Sequence, residues 1–162
     1  MSDFQKKKTG KTVMPMFRGV SQLTLDEKGR LVIPARYRDA LFGAEKKLVI
    51  TADPHRCLLI YSQPVWEPIQ NKLMALSSFD ERIRALQRLL VGYADDVTPD
   101  NAGRVLLSPA LRQYAQLDRR AVLVGQGTRF ELWDETLWQS QMTQAIRFSH
   151  DDLPPALEHF SL

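Results

Sequence analysis

The chain repeats itself, and a duplicated unit restricts its architecture more than any other feature. Asp26-Glu27-Lys28-Gly29-Arg30-Leu31-Val32-Ile33-Pro34-Ala35 returns as Asp100-Asn101-Ala102-Gly103-Arg104-Val105-Leu106-Leu107-Ser108-Pro109-Ala110. Leu48-Val49-Ile50 matches Val122-Leu123-Val124, and the stretch from Ile60 to Trp66 matches that from Leu132 to Trp138. Three blocks in one order, at a period of 72–75 residues, mark two copies of one small unit.

Local signals sketch that unit. Leu23 and Leu25 alternate with polar residues, as a half-buried strand does. Asp26 and Gly29 hold the first and fourth places of a type I turn closed by a left-handed glycine bulge. Arg30–Ile33 is the return strand, Pro34 opens a short helix through about Leu41, and Gly43 stops it. Strands follow at Leu48–Thr51 and Leu58–Tyr61. The second copy predicts Tyr93–Thr98, Arg104–Leu107, a helix from Pro109 to about Gln116, then Ala121–Val124 and Phe130–Trp133. A unit therefore reads as two hairpins around a helical turn or two. Each ends in a longer helix, N-capped by Ser62 or Asp134. Val65, Trp66, Ile69, Leu73 and Leu76 form the apolar stripe of the first. Ser78-x-x-Glu81 is a capping box for a linking helix with the stripe Phe79, Ile83, Leu86 and Leu90. Packing is the expected role of both stripes and of Trp66 and Trp138.

Four short strands and one short helix bury too little surface to stand alone, and their unpaired edges favour pairing with a second copy. The expected fold is α+β: two tandem β units interlocked as a pseudo-twofold β core, with flanking helices. The divisions are a disordered basic leader over 1–15, a first unit over 16–66 and linking helices over 67–91. A second unit covers 92–138, and the end of the C-terminal helix with a loose tail covers 139–162. A start at Met16 and a leader before it fit residues 1–15 equally well.

Charge is lopsided. Residues 1–15 carry four lysines against Asp3, and the formal net charge of the whole chain is +3. Residues 16–90 have 12 basic and 8 acidic side chains, whereas residues 91–162 have 6 and 10. A basic half of one chain facing the acidic half of the next makes a head-to-tail contact, which closes into rings when repeated; solvated faces account for the same charges. The chain has no run of about 20 apolar residues of the kind a membrane helix needs. Cys57 is the one cysteine, so no internal disulfide forms, and the expected compartment is reducing.

The two Asp-x-x-x-Arg turns hold the chemistry. Turn geometry accounts for Asp26, Gly29, Asp100 and Gly103 but not for Arg30 and Arg104. An arginine just past a tight bulge and beside its own aspartate offers a directed fork for guanine edges or phosphate oxygens. The competing reading is a turn-local ion pair worth about 0–1 kcal/mol. Arg18, Lys28, Arg36 and Arg38 surround the first turn in sequence. Asp95 and Asp96 oppose Arg104, with Arg112 the nearest further cation. The first unit is therefore expected to carry the DNA face and the second to assist; for Arg36 and Arg38 a solvated helix face stays open. Enzyme readings find no nucleophile, base and oxyanion site together. Cys57 precedes an apolar strand as a small buried hydrophobe. His55, His150 and His159 make no triad or zinc spacing, and Asp95, Asp96 and Asp100 match no calcium loop. Gly125-Gln126-Gly127 reads as a hairpin turn. No catalysis, cofactor or metal is expected.

Met16-Phe17-Arg18-Gly19, Asp26–Arg30, Pro34-Ala35-Arg36-Tyr37-Arg38, Arg88-Leu89-Leu90 with Gly92, Asp100–Arg104, Leu123-Val124-Gly125-Gln126 and Phe130–Glu135 together resemble the MraZ family, over residues 16 to about 146. The resemblance implies two SpoVT/AbrB-like swapped-hairpin modules per chain, assembled head to tail into a ring. It implies a cytoplasmic, nucleoid-associated transcriptional regulator that represses its own division and cell-wall gene cluster from direct repeats in promoter DNA. The family's DNA-binding signature falls on Asp26 to Arg30 and Asp100 to Arg104, with Arg30 foremost. Ser108, where the first copy has Pro34, and the basic leader depart from the pattern. An AbrB-like antitoxin and a ring without a DNA role are the alternatives.

Overall fold

The computed structural model describes residues 16–148 and 153–161. The expected leader 1–15, His150 and the start of the tail at 149–152 lie outside them. The first unit runs β1 (Val20–Thr24), β2 (Arg30–Val32), α1 (Ala35–Phe42), β3 (Leu48–Ala52), β4 (Leu58–Ser62) and α2 (Gln63–Met74). A linking helix, α3 (Glu81–Leu90), leads to β5 (Asp95–Val97), β6 (Arg104–Leu106), α4 (Pro109–Tyr114), β7 (Arg120–Gln126), β8 (Arg129–Asp134) and α5 (Glu135–Ile146). A single 3-10 turn, Pro155–Leu157, lies in the tail.

The strands on either side of each Asp-x-x-x-Arg turn do not pair with each other along their length, as a hairpin within one unit requires. β1 pairs antiparallel with β7, β5 with β3, and β2 with β6. Arms of three to five residues bury too little against each other, whereas exchanging them lets each unit complete the other. The result is a six-stranded sheet in the order β1-β7-β8-β4-β3-β5 and a two-stranded ribbon of β2 and β6. A pseudo-twofold axis passes between β4 and β8, where Leu59 opposes Glu131, and through the ribbon, where Leu31 opposes Val105. The architecture is two interlocked swapped-hairpin units with helices outside.

One block of the repeat is corrected by register. Leu48 opposes Val97 on β5, while Ala121 opposes Leu23, the counterpart of Val97 on β1. Leu48 is therefore equivalent to Ala121 and not to Val122. The difference decides sides, because a slip of one residue sends every side chain of a strand to the opposite face. Leu48, Ile50, Leu58 and Ile60 join Ala121, Leu123, Phe130 and Leu132 in the central core, which also takes Leu31, Ile33, Val105 and Leu107 from beneath the ribbon. Val122 points the other way, to a small cluster with Cys57, Val124 and Trp133 under Leu137 and Trp138 of α5. Val49, Leu59 and Tyr61 form a second small cluster beneath Trp66 of α2 and Leu90 of α3. The inner strands are thus covered on both faces, and β3 is buried at every position.

Several helix ends and stripes need correction. Asp134 caps α5 by accepting a bond from the Leu137 amide, but Ser62 makes no such bond at α2, where Pro64 removes one of the first-turn N–H groups. The proposed capping box is not formed. α3 begins at Glu81 with Asp80 as its cap, accepting from the Arg82 amide at 2.8 Å, and Phe79 stands 97% exposed ahead of it. Trp66 is buried as its stripe requires, yet α3 buries no residue fully, and Leu76, past the end of α2, is exposed. Among the described residues no helix is long and apolar enough to cross a membrane.

Candidate nucleic-acid interface

The two turns share one construction. Asp26 accepts two backbone bonds on Oδ1, from Lys28 at 3.0 Å and Arg30 at 2.9 Å, and takes the Arg30 Nε on Oδ2 at 2.7 Å. Asp100 does the same with Ala102, Arg104 and the Arg104 Nε, at 2.9, 2.9 and 2.7 Å. Gly29 and Gly103 close the turns at φ 83° and 76°, a region that a side chain disfavours. The amide of Arg30, then its side chain, holds the Asp26 carboxyl below the ordinary carboxylate range, and Arg104 does this for Asp100. Both turn anions are therefore charged at neutral pH.

The ion pair and the directed fork thus coexist. Each aspartate holds its arginine's guanidinium through Nε alone, and the two terminal nitrogens make no hydrogen bond among the described residues. Arg30 and Arg104 remain 30% and 39% exposed at the side chain. An exposed pair adds little stability. Its effect here is to fix where the rest of the guanidinium points.

The opposite unit holds each tip in place. The Leu107 amide donates to the Gly29 carbonyl at 3.0 Å, and the Ile33 amide to the Gly103 carbonyl at 2.9 Å. Both glycines are buried although their turns protrude. Arg112 of α4 lies across Gly29, where a Cβ would come within 2.6 Å of its guanidinium, and Arg38 of α1 lies across Gly103, where a Cβ would meet its Nε. Arg38 is fixed there by donating its Nε to the Ile33 carbonyl at 2.8 Å; the Arg112 Nε is buried without a partner.

The cations assigned by sequence to the first turn are consequently dispersed. Lys28 and Arg30 stay on it. Arg38 crosses to the second tip and Arg112 crosses to the first, because the exchanged strands carry each short helix over the other unit's turn. Arg18 and Arg36 form a separate patch at Gly19: Arg36 donates to Ser21 Oγ at 2.9 Å and lies over the Tyr37 ring, whose hydroxyl donates to the Arg18 carbonyl at 2.7 Å. The extended five-residue β1, at about 3.3 Å per residue, separates that patch from Asp26. Asp95 and Asp96 sit on β5 beside β3, and the carboxylate that pairs with Arg104 is Asp100.

The other candidates settle into structural roles. Cys57 is fully buried, and burial, followed by the nearby Asp53, pushes its thiol far above the ordinary range. His55 Nδ1 sits 3.0 Å from Asp53 Oδ2 within a turn. Gly127 and Thr128 form the two-residue loop between β7 and β8, while Gly125 leaves room for the backbone of Arg18 to pass. Among the described residues no three of His, Cys, Asp and Glu gather as a metal site.

Comparison with known proteins gives one answer for both halves. A family model described as "MraZ protein, putative antitoxin-like" matches twice, over residues 16–89 and 90–156. The chain is 57% identical over 148 residues to the "Transcriptional regulator MraZ" of Thiobacillus denitrificans, covering 91% of this chain and 100% of that one. Proteins of the same name from Methylobacillus flagellatus and Nitrosomonas europaea are each 55% identical over 148 residues, with the same coverage.

Proposed function

The chain belongs to the MraZ family of transcriptional regulators, and on that premise we propose that it binds promoter duplex through its two Asp-x-x-x-Arg tips and represses its own division and cell-wall gene cluster. Membership makes it a regulator and not an enzyme. The observation that carries the DNA reading is the pair of arginines, each anchored at Nε and open at its two terminal nitrogens, standing at the two ends of the exposed ribbon. A guanidinium so held suits bidentate contact with guanine or phosphate. Lys28, Arg38 and Arg112 lie close enough to the tips to add phosphate contacts. Arg18 and Arg36 would extend the footprint along β1. Such contacts supply affinity that falls with salt.

The chain acts as a ring of subunits joined head to tail. The charge asymmetry of the halves supports this, as does the apolar surface along α3 and the segment leading into it, where Leu76, Phe79 and Leu86 are 50%, 97% and 40% exposed. A contact from one subunit is weak, whereas linked contacts to direct repeats gain by factors of about 10²–10⁴ through effective concentration. Occupancy of the promoter by the ring blocks transcription.

The experiment is a mobility shift with Arg30→Ala on the DNA upstream of its own gene, together with light-scattering mass. Loss of binding with the assembly intact is the expected result. Binding and salt dependence that survive the substitution refute the assignment. A small protein co-purifying with the chain would favour an antitoxin role, and a ring that ignores DNA would leave assembly as its function.

A further inference from the structure

The outer face of the ribbon holds more than its arginines. Strand side chains alternate between faces, so Leu31 and Val105 point into the core while Arg30, Val32, Arg104 and Leu106 share the outer side. In register, Arg30 opposes Leu106 and Val32 opposes Arg104. Each fork therefore stands directly across from an aliphatic side chain. Val32 is 44% and Leu106 53% exposed. One exposed aliphatic residue on a strand calls for no explanation. Here two occupy pseudo-equivalent positions, between charged groups, on a strip where polar residues would solvate more easily.

We propose that Val32 and Leu106 read the C5-methyl groups of thymines lying next to the guanines contacted by Arg104 and Arg30. This rests on the DNA-binding reading above and specifies which bases it selects. The major groove admits a two-stranded ribbon, and the thymine methyl is the one apolar group displayed there. Opposed Cβ atoms lie about 4.5–5.5 Å apart, against about 3.4 Å between successive bases on a strand. Each arginine–aliphatic pair therefore spans one to two base steps, and the site it selects has a thymine within two base pairs of each contacted guanine. The arginines bring the ribbon to the groove by charge. The aliphatic residues penalise any base that leaves them facing a polar edge.

The test uses the full chain and two duplexes of its own upstream DNA, one with thymine and one with deoxyuridine throughout, which removes the methyls and leaves base pairing intact. The wild type is expected to bind the thymine duplex more tightly, by about fourfold for each methyl contacted. Val32→Ala and Leu106→Ala, each checked for an unchanged melting temperature, are expected to shrink that preference while leaving affinity for the uracil duplex near the wild-type value. Equal binding of both duplexes by the wild type overturns the proposal and leaves DNA binding standing, and that arm needs no variant. A preference that persists when Val32→Ala and Leu106→Ala are combined also overturns it, since the methyls then act through DNA shape. Failure to bind either duplex removes the DNA reading and this proposal with it.

Discussion

The first tip offers Asp26, Glu27, Lys28 and Arg30, with Arg112 laid across it; the second offers Asp100, Asn101, Ala102 and Arg104, with Arg38 laid across it. The first thus has three cations against two carboxylates and the second two against one, so each nets one positive charge. Their hydrogen-bond geometry agrees to a tenth of an ångström. Read along the chain, the first copy is far the more basic. In space that difference disappears, because Arg18 and Arg36 lie apart at Gly19 and the exchanged helices trade Arg38 for Arg112, one cation for one. Local charge at a protruding turn is thus set by what packs over it as much as by the residues that form it.

That near-equality can be broken experimentally. The largest effect is expected from the forks: Arg30→Ala and Arg104→Ala should each weaken promoter binding by about ten- to a hundredfold, the scale of one bidentate base contact. A loss confined to Arg30→Ala would restore the ranking that the chain order implies. Next come the glycines. Gly29→Ala and Gly103→Ala should each destabilise the fold by about 1–3 kcal/mol, seen as a lower melting temperature. The positive φ cannot be relieved at either position, and Gly103→Ala must also displace Arg38 from its bond to the Ile33 carbonyl, so its cost should be the larger.

Smaller effects separate the origins of the flanking cations. Arg112→Met and Lys28→Ala should act on the same tip, each lowering the salt slope of binding by about one, while Arg38→Met should act with Arg104. A double variant of Arg38 with Arg30 that shows strong coupling would contradict the crossing. The smallest effect concerns pH. The folded carboxyls of Asp26 and Asp100 are depressed, so their contribution is complete above the unfolded value of about 3.9 and disappears as pH falls through the lower folded value. Between pH 5 and 8 that contribution is constant, so these two groups should add no pH dependence to the melting temperature there. Their share of the decline below pH 4 should be absent in Asp26→Asn with Asp100→Asn.

Much of the candidate site was legible because its chemistry is local. An aspartate and a glycine three apart suffice to specify the turn and its left-handed residue, and the arginine that follows places its side chain beside the aspartate; that the contact runs through Nε came from the structure. The bounded apolar run of β3 and the helical spacing of α2 placed both elements close to their true limits. The missed features depend on distant partners. The Ser78 capping box had the right pattern and lost to Asp80. The Val122 match was one residue out of step, because three apolar residues in a row do not reveal which faces inward. Arg112 looked like a neighbour of Arg104 because chain distance was the only guide.

From the amino-acid order alone came the duplication, the two turns, and the need of each small unit for another copy, since these follow from short-range backbone chemistry and from how little surface such a unit can bury. Tertiary structure alone decided that the arms on either side of each turn part company, that each short helix covers the opposite tip, and that Val32 and Leu106 lie exposed beside the forks. Those outcomes depend on which strands pair, and pairing is chosen by the whole core at once.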